Sequence, residues 1–187
     1  MNASLFQGRL VRLAAIDPDA DSAIIAGWSR DSEYWRLITS RPAQPVSAAQ
    51  VRDRWRNDSD DYEFAVRTLA EDRLIGQIGV WPVWAHRDAW HGVNLGEREY
   101  WGKGYGTDAL QVMLRYAFIE LGLDRVSLSV LGINARAIRA YEKIGFVHEG
   151  RTRRTSRYDG HGLDDVYMGL LRSEWVRLSL QADACNA

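Results

Sequence analysis

The sequence predicts one α/β domain that begins with mostly antiparallel strands and has a β-α-β step in its middle. Its 187 residues correspond to the length of one domain. Apolar residues alternate with a period of two in some segments and recur with helical spacing in others. The predicted order is β-α-α-β-β-β-α-β-α-β-β, with residues 1–176 forming the domain and residues 177–187 a partly frayed C-terminal tail.

The first half of the chain predicts two helices among four strands. Residues 10–14 alternate as in a strand. Asp17 followed by Pro18 is typical of a helix start, and this helix is expected to run to about Trp28. Ser47 and Gln50 have the spacing of a capping box, which predicts a second helix to about Arg56. Residues 62–69 and 74–84 predict a hairpin, and residues 90–95 a further strand.

The second half predicts two helices and three strands. Residues 107–121 carry one apolar stripe, and Gly122 follows as the helix end. Residues 126–131 form a short apolar strand, after which Asn134 begins a helix that Gly145 ends. Two closing strands are expected at residues 146–149 and 165–171, on either side of a polar loop at 151–162.

Composition and charge exclude several classes of protein. The hydrophobic content of 46% is that of a globular chain, and no stretch is long and apolar enough to span a membrane. A net charge of −1 argues against a nucleic-acid partner. The single cysteine, Cys185, cannot form an internal disulfide, and the N-terminus lacks a secretory pattern, so we expect a cytoplasmic protein. The four histidines lack metal-ligand spacing, so no metal is expected.

A glycine-rich turn precedes the third predicted helix. Gly102, Gly104 and Gly106 allow the backbone to turn tightly and approach a ligand. The helix that follows directs free N–H groups into this turn, an arrangement that favours a phosphate. A flexible turn without a ligand is the alternative. The pattern does not fit a Walker A loop, because Gly104 follows Lys103, and the next strand lacks the acidic residue of a dinucleotide-binding fingerprint.

Two sequence blocks resemble the GNAT superfamily of acyl-CoA-dependent N-acyltransferases. The first is LGEREYWGKGYGT at residues 95–107, and the second is NARAIRAYEKIGF at residues 134–146. The chain is most similar to the branch that contains bacterial ribosomal-protein N-terminal acetyltransferases and small-molecule relatives. The resemblance implies a mixed, mostly antiparallel sheet of about seven strands, splayed in the middle after a bulge and flanked by about four helices.

The resemblance also implies how acetyl-CoA binds as the co-substrate. The turn Gly102, Lys103, Gly104, Tyr105, Gly106 and Thr107 would hold the pyrophosphate. The backbone of Leu95, Gly96 and Glu97 would pair with the pantetheine arm. Further contacts with the co-substrate are implied on the following helix for Asn134, Ala137, Tyr141 and Lys143.

The resemblance implies Tyr141 and Asn134 as catalytic residues, and His91 is a further candidate because it lies beside the position of the family's base. Tyr141 would donate to the thioester sulfur, although a half-buried core tyrosine is the alternative. Asn134 is expected to cap its helix and would also contact pantetheine or an ordered water. The carboxylate that many relatives use as a base falls at or near Trp90, which cannot accept a proton. His91, a glutamate at 97 or 99, and a water chain remain open as the base.

The acceptor is expected to be a primary amine, either a small molecule or a peptide N-terminus. Aromatic residues in the predicted acceptor regions could hold a cationic amine, but could equally form a core or a dimer interface: Trp28, Tyr34, Trp35, Trp55, Trp81, Trp84, Trp90 and Tyr158. The basic segment 151–157 is either a solvated hairpin or a site for an anion. The predicted function is therefore N-acetyl transfer. The alternative is a catalytically lapsed CoA-binding sensor or interaction module.

Overall fold

The computed structural model describes residues 4–39, 41–55, 61–158 and 160–185. These residues form seven strands: β1 Val11–Ala14, β2 Tyr62–Thr68, β3 Leu74–Val83, β4 Asp88–Leu95, β5 Arg125–Leu131, β6 Val147–Tyr158 and β7 His161–Leu171. They also form six α-helices: α1 Ser22–Trp28, α2 Ser32–Ile38, α3 Ala48–Trp55, α4 Tyr105–Arg115, α5 Ala135–Ile144 and α6 Arg172–Cys185.

The seven strands form one sheet in the order β1-β2-β3-β4-β5-β7-β6. Every neighbouring pair is antiparallel except β4 and β5, which are parallel. The predicted α/β class and the mixed, mostly antiparallel sheet of seven strands are therefore confirmed, while the helices number six in the described residues rather than about four.

The sheet opens between β4 and β5. Only residues 88–90 of β4 pair with β5, at residues 125–127, and the two strands then diverge. The pairs between β3 and β4 run without a register shift from Gly76 and Leu95 to Val83 and Asp88. The splay is therefore present as predicted. At the end of β4 the amides of Gly96 and Glu97 both donate to Ile75 O, so two residues oppose one as in the expected bulge.

Helices cover both faces of the sheet. On one face, α4 and α5 bury apolar side chains such as Leu110, Met113 and Ile144 against the strands. We call this the α4–α5 face. On the other face, Trp28 and Tyr34 pack against Ala65, and the hydroxyl of Tyr34 donates to Asn94 Oδ1 at 2.8 Å. We call this the α1–α2 face.

The N-terminal helices differ in detail from the prediction. Asp17 accepts hydrogen bonds from Asp19 N and Ala20 N in a separate turn, so α1 begins later, at Ser22. The sequence reading missed α2, which Asp31 caps. The predicted capping box of α3 is confirmed by hydrogen bonds between Ser47 and Gln50. The predicted end of that helix, at residue 56, lies outside the described residues.

Helix α4 begins at Tyr105, two residues before its predicted start, and ends in a π-helical turn at Tyr116–Glu120. The carboxylate of Asp108 in its first turn accepts the N–H groups of Arg9, Leu10 and Val11 at 2.8–3.0 Å. This buried contact ties α4 to the start of β1 and sets the direction of the helix N-terminus.

The C-terminal region is more regular than predicted. Most of the expected polar loop at 151–162 belongs to β6 and β7, because the two strands form one long hairpin. Helix α6 runs from Arg172 to Cys185 and so crosses the expected tail boundary at residue 177. The ring of Trp175 packs on Phe118 with centroids 5.4 Å apart. Among the described residues, no helix is long and apolar enough to cross a membrane.

Candidate active site

The opening between β4 and β5 exposes one edge of β4. Gly96 N donates to Ile75 O at 2.9 Å, which makes these two residues a hydrogen-bonded pair between β4 and β3. Bonded and non-bonded pairs alternate along an antiparallel ladder. The N–H and C=O groups of Val93 and Leu95 therefore point away from β3 and into the opening. In the described pairing, β5 has already diverged at this level.

The three residues predicted to pair with pantetheine are placed differently from one another. Leu95 N–H faces the opening, but Leu95 O accepts the indole N–H of Trp101 at 2.8 Å. The amides of Gly96 and Glu97 both donate to Ile75 O, at 2.9 and 3.3 Å. The backbone edge that faces the opening is therefore centred on Val93, which the sequence reading did not single out.

The glycine-rich turn joins this edge to the N-terminus of α4. Gly102 and Gly104 have φ angles of 73° and 91°, in the left-handed region that favours glycine. Gly104 caps α4, and the first intrahelical bond runs from Asp108 N to Gly104 O at 2.9 Å. The amides before Asp108 therefore have no acceptor within the helix. The turn presents Gly102, Lys103, Gly104, Tyr105, Gly106 and Thr107 together at the mouth of the opening.

Tyr141 lies at the inner end of the opening. Its side chain, only 7% exposed, packs edge-to-face on the ring of His91, with centroids 6.5 Å apart. His91 is the first β4 residue beyond the last pair with β5. Burial raises the pKa of Tyr141 to about 12, so the phenol keeps its proton at neutral pH. A protonated donor therefore lies where the two strands separate.

His91 points to the α4–α5 face and is fully enclosed. Its Nδ1 lies 3.0 Å from Gly79 O and donates to that carbonyl in the neutral tautomer. Its Nε2 is buried without a hydrogen-bond partner among the described residues. Burial lowers the pKa of His91 to about 4, so the imidazole is neutral at pH 7.

Helix α5 brings two more predicted residues toward the opening and turns one away. Asn134 caps the helix by accepting Ala137 N at 3.2 Å. Asn134, Ala137 and Tyr141 share one side of the helix, because residues three, four and seven apart do so. Lys143 lies two residues beyond Tyr141, so it points to the far side, and it is exposed.

The glutamates considered as the base already have partners. Glu97 accepts the indole N–H of Trp28 at 2.9 Å and pairs with Arg73 at 2.8 Å. Glu99 also pairs with Arg73, at 2.6 Å. Trp90 lies on the α1–α2 face, as strand alternation from His91 requires. Within the described residues, no group of histidine, cysteine or acidic side chains has the arrangement of a metal site.

The aromatic residues expected near the acceptor divide into two groups. Trp28 and Tyr34 are buried in a cluster beside the end of β4, whereas Trp84 and Trp90 are 48% and 43% exposed. Tyr158 contacts the guanidinium of Arg36 at 4.9 Å. Trp101 lies between two guanidinium groups, with Arg98 at 4.7 Å and Arg136 at 3.7 Å from its ring centre. No sequence pattern predicted this stack, because Arg98 and Trp101 follow β4 whereas Arg136 lies in the first turn of α5.

The basic segment 151–157 lies in the edge strand β6 rather than in a loop. A shallow surface cavity of about 560 Å³ is lined there by Arg151, Thr152, Arg153, Arg154 and Asp164. It belongs to the β6–β7 hairpin and not to the opening between β4 and β5.

Comparisons with known proteins identify the family of the chain. The model of the acetyltransferase (GNAT) domain family matches residues 10–147. A probable N-acetyltransferase of Bacillus subtilis, YjcK, is 31% identical over 127 residues, covering 67% of this chain and 69% of that protein. YdaF of the same organism, provisionally named a ribosomal N-acetyltransferase, is 38% identical over 78 residues, covering 42% and 43% of the two chains.

A solved structure gives the same fold. The spermidine N-acetyltransferase of Vibrio cholerae in complex with CoA and spermine superposes with a TM-score of 0.79 at 23% identity, covering 89% of this chain and 98% of that one. The family match covers well over half of the chain, and the splayed sheet follows the same architecture. This chain therefore belongs to the GNAT acetyltransferase family and is an acetyltransferase.

Proposed function

We propose that this acetyltransferase moves the acetyl group of acetyl-CoA to a primary amine by direct attack of the amine on the thioester. The observation that carries the proposal is the opening between β4 and β5. One side of it is an unpaired backbone edge, and the protonated phenol of Tyr141 lies at its inner end.

The opening suits an extended acyl-CoA arm. Pantetheine carries amide groups that can pair with the backbone N–H and C=O groups along this edge of β4 as an added strand would. At the mouth, the amides of residues 102–107 and the N-terminus of α4 suit the pyrophosphate. The guanidinium of Arg136, stacked on Trp101, places a further positive charge near the same end.

The reaction then needs three contributions from the chain. A neutral amine forms a bond to the acetyl carbon, and the carbonyl oxygen gains negative charge that Val93 or Leu95 N–H can stabilise. The carbon–sulfur bond breaks as Tyr141 donates a hydrogen bond to the departing sulfur. The amine loses one proton and the thiolate gains one, so the products are the N-acetyl amine and free CoA.

The amine loses its proton to water rather than to His91 in this proposal. An imidazole whose pKa is about 4 is a weak base at neutral pH, and His91 lies on the face opposite α1 and α2. Glu97 and Glu99 are held by Arg73. His91 instead packs edge-to-face against the ring of Tyr141.

A free-thiol release assay tests the proposal directly. The purified protein is incubated with acetyl-CoA and a panel of acceptors that includes spermidine, simple alkylamines and peptides with free N-termini. Acetyl-CoA alone provides the control for hydrolysis. We expect acceptor-dependent release of CoA, with the N-acetyl product seen by mass spectrometry. Binding of CoA without release for any acceptor would instead support the lapsed sensor or interaction module.

A further inference from the structure

The β7 side of the opening carries a carboxylate that the reaction described above does not use. Asp165 pairs with Leu131 across β7 and β5, and Tyr167 pairs with Ser129. The hydroxyl of Ser127 on the same side of β5 bonds to Asp88, and Asp88 shares its face with Asn94. Asp165 and Tyr167 therefore lie on the α1–α2 face.

Asp165 lies beside β5 at the level of Leu131, where β4 and β5 have already diverged. The last pair between β4 and β5 is Trp90 with Ser127, and Leu131 lies four residues further along β5. Because neighbouring strands are about 5 Å apart, Asp165 on β7 lies roughly 5 Å beyond β5. An amine that attacks from the α1–α2 face can thus extend its far end over β5 toward Asp165.

Four other carboxylates on this face lie beside an arginine. Glu63 lies 3.6 Å from Arg54, Asp88 lies 3.6 Å from Arg125, and Asp31 and Glu33 both bind Arg98. The contacts of the described residues give Asp165 no hydrogen bond and no ion pair, although it is only half-exposed. A half-buried carboxylate without a cation leaves a local negative charge beside the opening.

Two aromatic rings lie on the same face as this charge: Tyr167 is two residues from Asp165 on β7, and Trp90 is on β4, beyond β5. Tyr167 packs edge-to-face on Trp90, with centroids 6.2 Å apart, and the Trp90 ring is 43% exposed. Exposed aromatic faces attract organic cations. The indole of Trp81 packs over Gly79 and Gly92, where a Cβ atom would come within 3.0 Å of the ring. The two glycines therefore add no side chain to the surface near these rings.

We propose that Asp165, with the rings of Trp90 and Tyr167, binds a second, protonated amino group of the acceptor. The substrate class is then an amine that carries another cationic nitrogen a few bonds from the one acetylated. This inference rests on the proposed function for its role in catalysis, but the binding site itself needs no turnover.

Binding measured in the absence of CoA separates the two proposals. Backbone amide shifts of the labelled protein are followed by NMR during titration with 1,4-diaminobutane and, as a matched probe, n-butylamine. We expect the diamine to bind about tenfold more tightly, because a charge-assisted hydrogen bond contributes roughly this factor. The shifts should centre on residues 165–167.

Asp165→Asn should remove the preference for the diamine while leaving the affinity for n-butylamine unchanged. Asp164→Asn is the matched control, because it removes the same charge from the next residue, whose side chain points toward Arg151 on the other face. We expect this control to keep the preference. Equal affinity for both probes in the unaltered protein, or the same loss in both variants, would overturn the subsite.

Acetylation then reports on the proposed function separately. If the diamine binds at Asp165 but no CoA is released, the subsite stands and the proposed function fails. If CoA is released with monoamines and N-terminal peptides as readily as with diamines, the function stands and the subsite is wrong.

Discussion

At the scale of single residues, burial determines what Tyr141 and His91 can do. Both rings are enclosed beside the opening in the sheet, and they contact each other edge-to-face. The absence of solvent favours the neutral form of each group, which raises the pKa of the phenol and lowers that of the imidazole. The pair therefore offers a proton donor at neutral pH but no strong base.

Replacing Tyr141 with Phe tests the donor. The change removes one hydroxyl and keeps the ring that packs on His91 and Phe146. We expect kcat to fall at least about tenfold, since positioned acid–base groups contribute roughly 10²–10⁴-fold. The thermal midpoint should change little. An unchanged kcat in the thiol-release assay would show that Tyr141 is only a core residue.

His91 predicts a dependence of stability on pH. Its folded pKa of about 4 lies below the unfolded value, so between these two values the unfolded chain binds more protons. The contribution of neutral His91 to the free energy of unfolding is therefore fully present above the unfolded pKa and is lost as the pH falls toward 4. We expect the unaltered protein to lose about 2 kcal/mol more than His91→Gln between pH 7 and pH 5 in urea unfolding. Equal losses in the two proteins would contradict the burial of a neutral imidazole.

The two sequence blocks that resemble the GNAT family contain Tyr141, Asn134 and the glycine-rich turn. They do not show which backbone groups face the opening. That depends on the register between β3 and β4, which places Gly96 and Glu97 on Ile75 O and turns Val93 outward. The sequence shows that Asp165 and Tyr167 are two residues apart in a predicted strand, so it predicts that they share one face. Their position beside the opening follows only from the pairing of β7 with β5.

At the scale of secondary-structure elements, the direction of α4 depends on one buried carboxylate. Asp108 accepts three backbone N–H groups from residues 9–11 and so joins the first turn of α4 to β1. The same first turn supplies the free amides of the candidate phosphate site. The contact therefore couples the stability of the fold to the geometry of that site.

Asp108→Asn should lower the stability of the fold and weaken the binding of acetyl-CoA at the candidate phosphate site. The amide nitrogen of asparagine would face backbone N–H donors, and hydrogen bonds to a charged acceptor contribute about 1.5–3 kcal/mol. We expect a loss of about 2–3 kcal/mol in chemical unfolding and a raised KM for acetyl-CoA. Asp53→Asn, at an exposed position on α3, is the control and should have almost no effect. A KM equal to that of the control variant would show that α4 does not depend on this contact.

The sequence predicted elements with strong local signals and missed those that tertiary contacts support. The capping box of α3 and the hairpin of β2 and β3 were found because their turn residues are local. Helix α2 was missed because it is short and lacks an Asp-Pro start signal such as the one that predicted the preceding helix. Polar residues 151–158 looked like a loop, but pairing with β7 makes them part of an exposed edge strand.

At the scale of the whole molecule, α6 closes the α4–α5 layer. Trp175 packs on Phe118, and the side chain of Leu178 fills the space beside Gly145 and Leu170. This segment has little amphipathic pattern in its sequence, so the expected tail boundary at residue 177 falls inside a helix.

Ending the chain after residue 176 should therefore destabilise the fold. Loss of Leu178 exposes apolar surface, which should lower the free energy of unfolding by roughly 2 kcal/mol. For a chain of this length we expect the thermal midpoint to fall by about 4–8 °C. Leu180→Ser, at a position that is 65% exposed, serves as the control and should leave the midpoint unchanged. A truncated chain with the same thermal midpoint as the full-length protein would show that residues 177–187 do not stabilise the fold.

The central claim is that an acyl-CoA lies along β4 in the opening with its diphosphate on the turn before α4. Hydrogen exchange of single amides, followed by NMR with and without CoA, tests this most directly. The account predicts that CoA slows exchange at Val93, Leu95 and residues 102–107, while Gly92 and Asn94, whose amides bond to β3, change little. Slowed exchange confined to other parts of the molecule, such as the β6–β7 hairpin, would contradict it.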